Sequence, residues 1–340
     1  MKAAAILLVL AFHGTAAAAD RLPAYGADVA RATASGLSSG GYMAVQFQVA
    51  NSSRINGVAA FAAGPYYCAQ GSLWTALYNC SVPTAWAGLP SVDVLKAQAE
   101  TYARGGQIDP TANLASTRVW LFSGTRDHTV ERPVVEAVAR FYATFGVSNI
   151  PLQTRPAGHA MVTEYSGTPC GTTEPPFIND CDYDAAGALL AYLLGVLRPP
   201  AVKESGQFVA FDQKAFAGGD AYTVSLADTG YLYVPTACAS EACRVHVVFH
   251  GCRQGAELLG ERFIREAGYN RWADTNRLIV LYPQTIVRYG AGYSGGRWSY
   301  VYNPKGCWDW WGYTGGGYAT KTAPQIRAVM RMLDRLGAPR

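Results

Sequence analysis

Short apolar runs punctuated by glycine and proline alternate along this chain with stretches whose apolar residues recur every three or four positions, the pattern of strands interleaved with helices. The runs at 55–62 (INGVAAFA), 118–123 (RVWLFS), 151–155 (PLQTR), 231–235 (YLYVP), 244–249 (RVHVVF) and 278–282 (LIVLY) read as strands. Helical spacing marks Tyr42, Val45, Gln46 and Val49, then Val134, Val138, Phe141, Tyr142 and Phe145. Further helices are expected at 183–197 and 263–273, and a last one carries Ile326, Val329, Met330, Leu333 and Leu336 on one face. That last helix has Pro324 in its first turn, with Thr322 and Gln325 at the spacing of a capping box. Residues 66–108 read as loop and helix crossing the top of the sheet. Alternating strands and helices predict an α/β fold.

At 340 residues with 50% hydrophobic content, the chain suffices for one large domain or two small ones. Its formal charge of +4 is scattered rather than gathered into runs, which argues against nucleic-acid binding. Past the N-terminus no stretch has the ~18 continuous apolar residues of a membrane span. Residues 1–19 carry Lys2, an apolar run and small residues before Asp20, the pattern of a signal peptide cleaved near Ala19. A secreted or periplasmic mature chain is therefore expected, with all eight cysteines in an oxidising compartment: Cys68, Cys80, Cys170, Cys181, Cys238, Cys243, Cys252 and Cys307. No C-x-x-C pair or His cluster accompanies them, so they read as disulfides and not as a metal site. Closeness in sequence suggests Cys68 with Cys80, Cys170 with Cys181 and Cys238 with Cys243, leaving Cys252 to join Cys307.

The candidate chemistry centres on 35–43 (SGLSSGGYM), which contains G-x-S-x-G with Ser38 in the middle. Small neighbours suit a nucleophile elbow, the sharp strand-to-helix turn that lifts a serine hydroxyl clear of the sheet. Ser35 and Ser39 compete, but Ser38 alone has glycine two residues away on both sides. Asp127 follows the strand at 118–123 and His159 follows that at 151–155, so Ser38, Asp127 and His159 each stand just past a strand end. Their order is that of the α/β-hydrolases, whose reactive groups sit at the carboxyl edge of the sheet. His128 is the alternative base, but as the neighbour of Asp127 it is poorly placed to bridge that carboxylate to the serine. In the expected triad His159 takes the Ser38 proton and Asp127 fixes the imidazole, for attack on an ester carbonyl.

The helix at 183–197 should close an ordinary hydrolase of this class, yet a long segment follows Pro199-Pro200. Within it the strand 244–249 runs into His250-Gly251-Cys252-Arg253-Gln254, and a strand ending in His-Gly is like the oxyanion loop that normally precedes the serine. The second half thus supplies the early strands and the oxyanion loop that the first half lacks. One circularly permuted α/β-hydrolase domain over 20–340 is expected, its ancestral ends joined near 199–200. A hydrolase domain to about 198 followed by a β-rich binding domain is the competing layout. The amides of Ser39 and Cys252 would bind the oxyanion, and a Cys252–Cys307 bridge would dock the aromatic segment 307–313 (CWDWWGY) beside them.

Taken together, 36–44 (GLSSGGYMA), 124–130 (GTRDHTV), 158–160 (GHA), 250–254 (HGCRQ) and 303–312 (NPKGCWDWWG) resemble the single-domain, circularly permuted poly(3-hydroxybutyrate) depolymerases of the fungal type. The resemblance spans residues 36 to about 322 in matching order. It implies a secreted serine esterase that cuts poly[(R)-3-hydroxybutyrate] to short oligomers and monomer. It also implies Ser38, Asp127 and His159 as triad, the Ser39 and Cys252 amides as oxyanion hole, and no metal or organic cofactor. The chain shows neither the Thr-rich or fibronectin-like linker nor the separate polymer-binding domain of many bacterial depolymerases, so the resemblance does not imply efficient attack on crystalline polymer.

The region 289–318 is unusually aromatic, with Tyr293, Trp298, Tyr300, Tyr302 and Trp308 among its members. Trp310, Trp311 and Tyr313 are the candidates to line the substrate groove, since flat apolar rings can adsorb a polyester. The expected partner is a polyester polymer or oligomer, with no nucleic acid and no membrane, and the chain is read as a monomer. Two other functions compete. One keeps the triad for a feruloyl or acetylxylan ester; the other is a non-catalytic polymer-binding protein.

Overall fold

The structure, a computed structural model, describes residues 20–83, 88–219, 221–294 and 297–340. The expected signal peptide at 1–19 lies outside them. Strands β1 (Asp28–Leu37), β2 (Ile55–Phe61), β3 (Arg118–Gly124) and β4 (Leu152–Arg155) come from the first half. A small separate sheet follows, made of β5 (Met161–Thr163), β6 (Thr168–Pro169) and β7 (Ile178–Asp180). The second half contributes β8 (Gln207–Asp212), β9 (Thr229–Val234), β10 (Arg244–Phe249) and β11 (Leu278–Tyr282), then an antiparallel hairpin of β12 (Arg288–Ser294) and β13 (Arg297–Asn303). Helices α1 (Ser39–Ala50), α2 (Leu73–Tyr78), α3 (Val92–Arg104), α4 (Arg132–Ala143) and α5 (Ala185–Leu194) lie between strands of the first half or close it. The second half adds α6 (Ala256–Leu259), α7 (Arg262–Glu266), α8 (Tyr269–Asn276) and α9 (Pro324–Gly337).

Both halves build one eight-stranded sheet in the order β4-β3-β2-β1-β10-β11-β9-β8, with β9 antiparallel to its neighbours. Counted with β8 as first strand, this is 1-2-4-3-5-6-7-8, the strand order of an α/β-hydrolase whose chain has been circularly permuted. The strand β10 follows β1 by some two hundred residues in sequence yet pairs with it in parallel, from Thr33↔His246 to Gly36↔Phe249. At the other side of the permutation, the amides of Tyr25 and Ala27 donate to the Leu336 carbonyl at 3.1 and 3.0 Å, so α9 hands over to β1 in space.

Central strands covered on both faces need apolar or small side chains throughout, and β11 and the second half of β1 are wholly buried. The helix α1 has no exposed residue at all, which is why it shows no amphipathic stripe. Phe47 of α1 meets Phe249 on one face of the sheet, and Tyr269 of α8 reaches Ser35 on the other, at 2.8 Å. On that second face the buried His246 ring is held between hydroxyls, Nδ1 with Thr33 Oγ1 at 2.7 Å and Nε2 with Ser35 Oγ at 2.8 Å.

The elements depart from the local pattern in three places. The helix expected at 263–273 breaks into α7 and α8 at Gly268, whose φ of 90° no helix accommodates. The helix expected at 183–197 stops at Leu194 because Gly195 also takes φ 90°. The Thr322–Gln325 capping box does not form. Ala323 is the N-cap without a side-chain bond, and Gln325 turns inward, accepting from the Asp309 amide at 2.8 Å and donating to Val224 O and the Tyr313 hydroxyl. No helix among the described residues is long and apolar enough to cross a membrane.

Candidate active site

At the end of β1 the chain reverses at Ser38, which has φ 56° and ψ −125°. Holding a non-glycine residue there costs on the order of 1–3 kcal/mol, and the surroundings enforce it. The Ser38 amide donates to Phe61 O at 2.9 Å and its carbonyl accepts from Tyr42 N at 2.9 Å, the first turn of α1. The two glycines of the motif are required by close backbone approach. A Cβ on Gly36 would stand 2.3 Å from Gly40 O, and one on Gly40 would stand 2.2 Å from Phe249 O at the end of β10.

The parallel strands β3 and β4 deliver Asp127 and His159 to the same edge. Asp127 Oδ1 accepts from the amides of Thr129 and Val130 at 2.8 and 3.0 Å, which leaves Oδ2 to accept from His159 Nδ1 at 2.8 Å. The pair is shielded from water, with 1% of the Asp127 side chain and 9% of the His159 side chain exposed. The His159 amide donates to Thr173 Oγ1 at 2.8 Å, which fixes its loop. His128 is exposed, and it is His159 that holds the Asp127 carboxylate.

The loop after β10 lies over the elbow, since a Cβ on Gly251 would be 3.5 Å from Ser38 Cβ. The Gly251 amide donates to Gln254 Oε1 at 2.7 Å, while Gln254 Nε2 donates to Phe177 O at 2.8 Å and Pro176 O at 3.1 Å. Arg253 N donates to Lys305 O at 2.7 Å, and the Cys252–Cys307 disulfide crosses beside it. The other expected pairs, Cys68–Cys80, Cys170–Cys181 and Cys238–Cys243, are also bonded. Among the described residues the amides of Ser39 and Cys252 donate to no protein group, whereas those of Ser38, Gly251, Arg253 and Gln254 are all engaged. Gln254 belongs to the quoted HGCRQ segment, but its clamp on 176–177 has no signal in spacing because the partner is a distant backbone.

Beneath that loop His250 donates Nδ1–H to Gly251 O at 2.7 Å and accepts from Thr285 N at Nε2, 3.1 Å, so the ring is neutral in one tautomer. Burial pushes its pKa down to about 4, against a smaller opposing pull from the Gly251 carbonyl, and burial pushes that of His246 down to about 3. In both cases the folded value lies below the unfolded one, so the unfolded chain binds more protons and stability falls as pH drops below about 6.5. Each ring should lose about 2 kcal/mol of stability between pH 7 and pH 5, with further loss toward the folded values. Denaturant midpoints across that range should fall in wild type and fall less in His246→Gln; a flat profile would contradict the neutral assignment.

Ser38 and His159 share a cavity of about 450 Å³. Its walls include Trp310, stacked on Tyr42 with ring centroids 3.9 Å apart, together with Trp311 and Tyr302. Tyr313 is not part of the lining. Its hydroxyl donates to Cys307 O at 2.8 Å and meets Asn303 and Gln325, a structural role within the loop. The loop turns on Asp309, whose buried carboxylate accepts from the amides of Gly312, Tyr313 and Thr314 and from the Thr314 hydroxyl. Burial raises the Asp309 pKa and those bonds oppose the rise. Tyr42 is not marked as part of this wall by the sequence pattern, because its stack on Trp310 joins residues far apart in the chain.

No family model matches the chain. A poly(3-hydroxybutyrate) depolymerase of Delftia acidovorans is 39% identical over 344 residues, covering 99% of this chain and 65% of its own length, so the chain spans under two thirds of that relative. A polyhydroxybutyrate depolymerase of Talaromyces funiculosus is 36% identical over 343 residues, 97% of this chain and 96% of its own. Among solved structures, a PHB depolymerase from Penicillium funiculosum superposes with TM-score 0.82 at 34% identity, covering 93% of this chain and 98% of that one. A serine-to-alanine variant of a PHB depolymerase, complexed with an R3HB trimer, gives the same figures.

Proposed function

Because the chain belongs to the poly(3-hydroxybutyrate) depolymerase family, we propose that it is a serine esterase hydrolysing poly[(R)-3-hydroxybutyrate] and its oligomers to short oligomers and monomer. The observation that supports this most is the meeting of Ser38 with an Asp127-bound His159 at one aromatic-walled cavity. His159 Nε2 takes the Ser38 proton as Oγ attacks the ester carbonyl, and Asp127 stabilises the imidazolium through Nδ1–H. The Ser39 and Cys252 amides bind the oxyanion, a contribution in which each donor is worth about a hundred- to a thousandfold in rate. Collapse expels the alcohol fragment, protonated by His159, and leaves a 3-hydroxyacyl ester on Ser38. Water, deprotonated by the same ring, then releases the acid.

The domain reading that goes with this is one permuted domain from residue 20, joined near 199–200, acting as a monomer and without nucleic-acid or membrane partners. Four disulfides favour an oxidising compartment and hence a secreted chain. The test is an amorphous poly(3-hydroxybutyrate) suspension followed by turbidity and product analysis. Clearing with release of 3-hydroxybutyrate units is expected. Turnover of a feruloyl ester without clearing would move the substrate to cell-wall esters, and turnover of neither would leave a binding protein.

Grip on solid polymer is assigned to the hairpin β12–β13. Alternation puts Tyr289, Trp298, Tyr300 and Tyr302 on its outer face, with Tyr289 63% and Trp298 71% exposed, while Val301 and Asn303 face inward and are buried. The Tyr293 side chain lies outside the described ones. Across the cavity mouth α2 carries the exposed Trp74, Leu77 and Tyr78. Aromatic contacts worth about 0.5–1.5 kcal/mol each imply that Tyr289→Ser with Trp298→Ser weakens adsorption to polymer granules by about tenfold. Binding isotherms on granules check this, and turnover of polymer should fall further than that of soluble trimer.

A further inference from the structure

Two cations stand at the mouth of the cavity with no partner among the described residues. Arg253 and Lys305 both line it, both are exposed, and neither forms an ion pair there. Their placement is built. The Arg253 amide donates to the Lys305 carbonyl at 2.7 Å, and the Cys252–Cys307 disulfide fastens the same two segments one residue before and two residues after. Arg253 also takes φ 63°, a left-handed conformation that a long side chain adopts only when its surroundings require it. Among the described residues the single acid on the cavity wall is Glu174, on the segment whose Thr173 receives the His159 amide. The mouth therefore has a net positive charge beside an apolar, aromatic interior, although an internal stretch of polyester is neutral and offers ester oxygens but no counter-charge.

We propose that Arg253 and Lys305 form a subsite for the free carboxylate at the end of a hydroxyalkanoate chain, so that the protein prefers acid-terminated oligomers to internal polymer. This rests on the polyester-esterase reading above. Hydrolysis of an ester adds water across the acyl C–O bond, leaving a carboxylate on the acyl fragment and a hydroxyl on the other. Every fragment accordingly carries one carboxylate terminus, and the population of ligands for this subsite grows with each cut. A guanidinium and an ammonium lining the same cavity suit a carboxylate through charge-assisted hydrogen bonds. Because both are exposed, the gain is modest and salt-sensitive.

The test compares the free-acid trimer of (R)-3-hydroxybutyrate with its methyl ester, substrates identical at the scissile bonds and different in terminal charge. At low ionic strength kcat/KM should favour the acid by about three- to tenfold through KM, and the preference should shrink in high salt. The ratio of the two values should fall toward one in the Arg253→Gln, Lys305→Gln double variant, invert in Lys305→Glu, and grow in Glu174→Gln. Equal turnover of acid and ester by wild type, or a preference that survives in the double variant, overturns the subsite alone. Cleavage of neither trimer overturns the subsite and the esterase reading together.

Discussion

The Ser38→Ala protein is expected to fold normally and to lose about four orders of magnitude or more in kcat on soluble oligomer and on polymer alike. In the proposed mechanism the hydroxyl is the attacking group, and a residual rate can come only from binding and the oxyanion donors. The fold should survive because the side chain opens onto the cavity and the turn is held by the backbone bonds to Phe61 and Tyr42. Alanine also keeps the Cβ beside Gly251. Steady-state hydrolysis together with a thermal melt checks both parts. An unchanged melt with activity within tenfold of wild type would remove Ser38 from the chemistry.

Asp127→Asn should be nearly as damaging, about 10⁴-fold in kcat, with little change in KM. The remaining amide oxygen can keep the bonds from Thr129 and Val130, so the loop holds. The amide nitrogen then faces His159 Nδ1 and makes it an acceptor, which puts the ring proton on Nε2, the atom that takes the serine proton in the proposed mechanism. The substitution thus separates tautomer from position, since it leaves the ring in place and reverses its hydrogen bonding. A loss of less than tenfold would mean that Asp127 holds a loop and does not set the ring.

The elements that place this site were legible because each is announced locally. Ser38 sits between Gly36 and Gly40, whose lack of side chains answers contacts of 2.3 and 2.2 Å, and Asp127 and His159 each follow an apolar strand. The permutation could be read from what was missing, since β1 to β4 are too few for a hydrolase sheet and the His-Gly loop comes late. What could not be read depends on long-range direction. Gln325 stands at capping-box spacing but points at Asp309 because the helix start is buried there. Tyr313 shares the composition of Trp310 and Trp311, yet the Asp309 turn sends it toward Cys307 O and away from the cavity. Glycines at 290 and 292 mask the period-two pattern of the hairpin, which shows only in its register.

The central claim is that Ser38 is a nucleophile activated within this cavity, and covalent labelling tests it most directly. Folded wild-type protein treated with diisopropyl fluorophosphate, digested and mapped by mass spectrometry should carry one phosphoryl adduct per chain, on the peptide containing Ser38, and Asp127→Asn should label far more slowly. Prompt labelling elsewhere, or none on folded protein, would contradict the account.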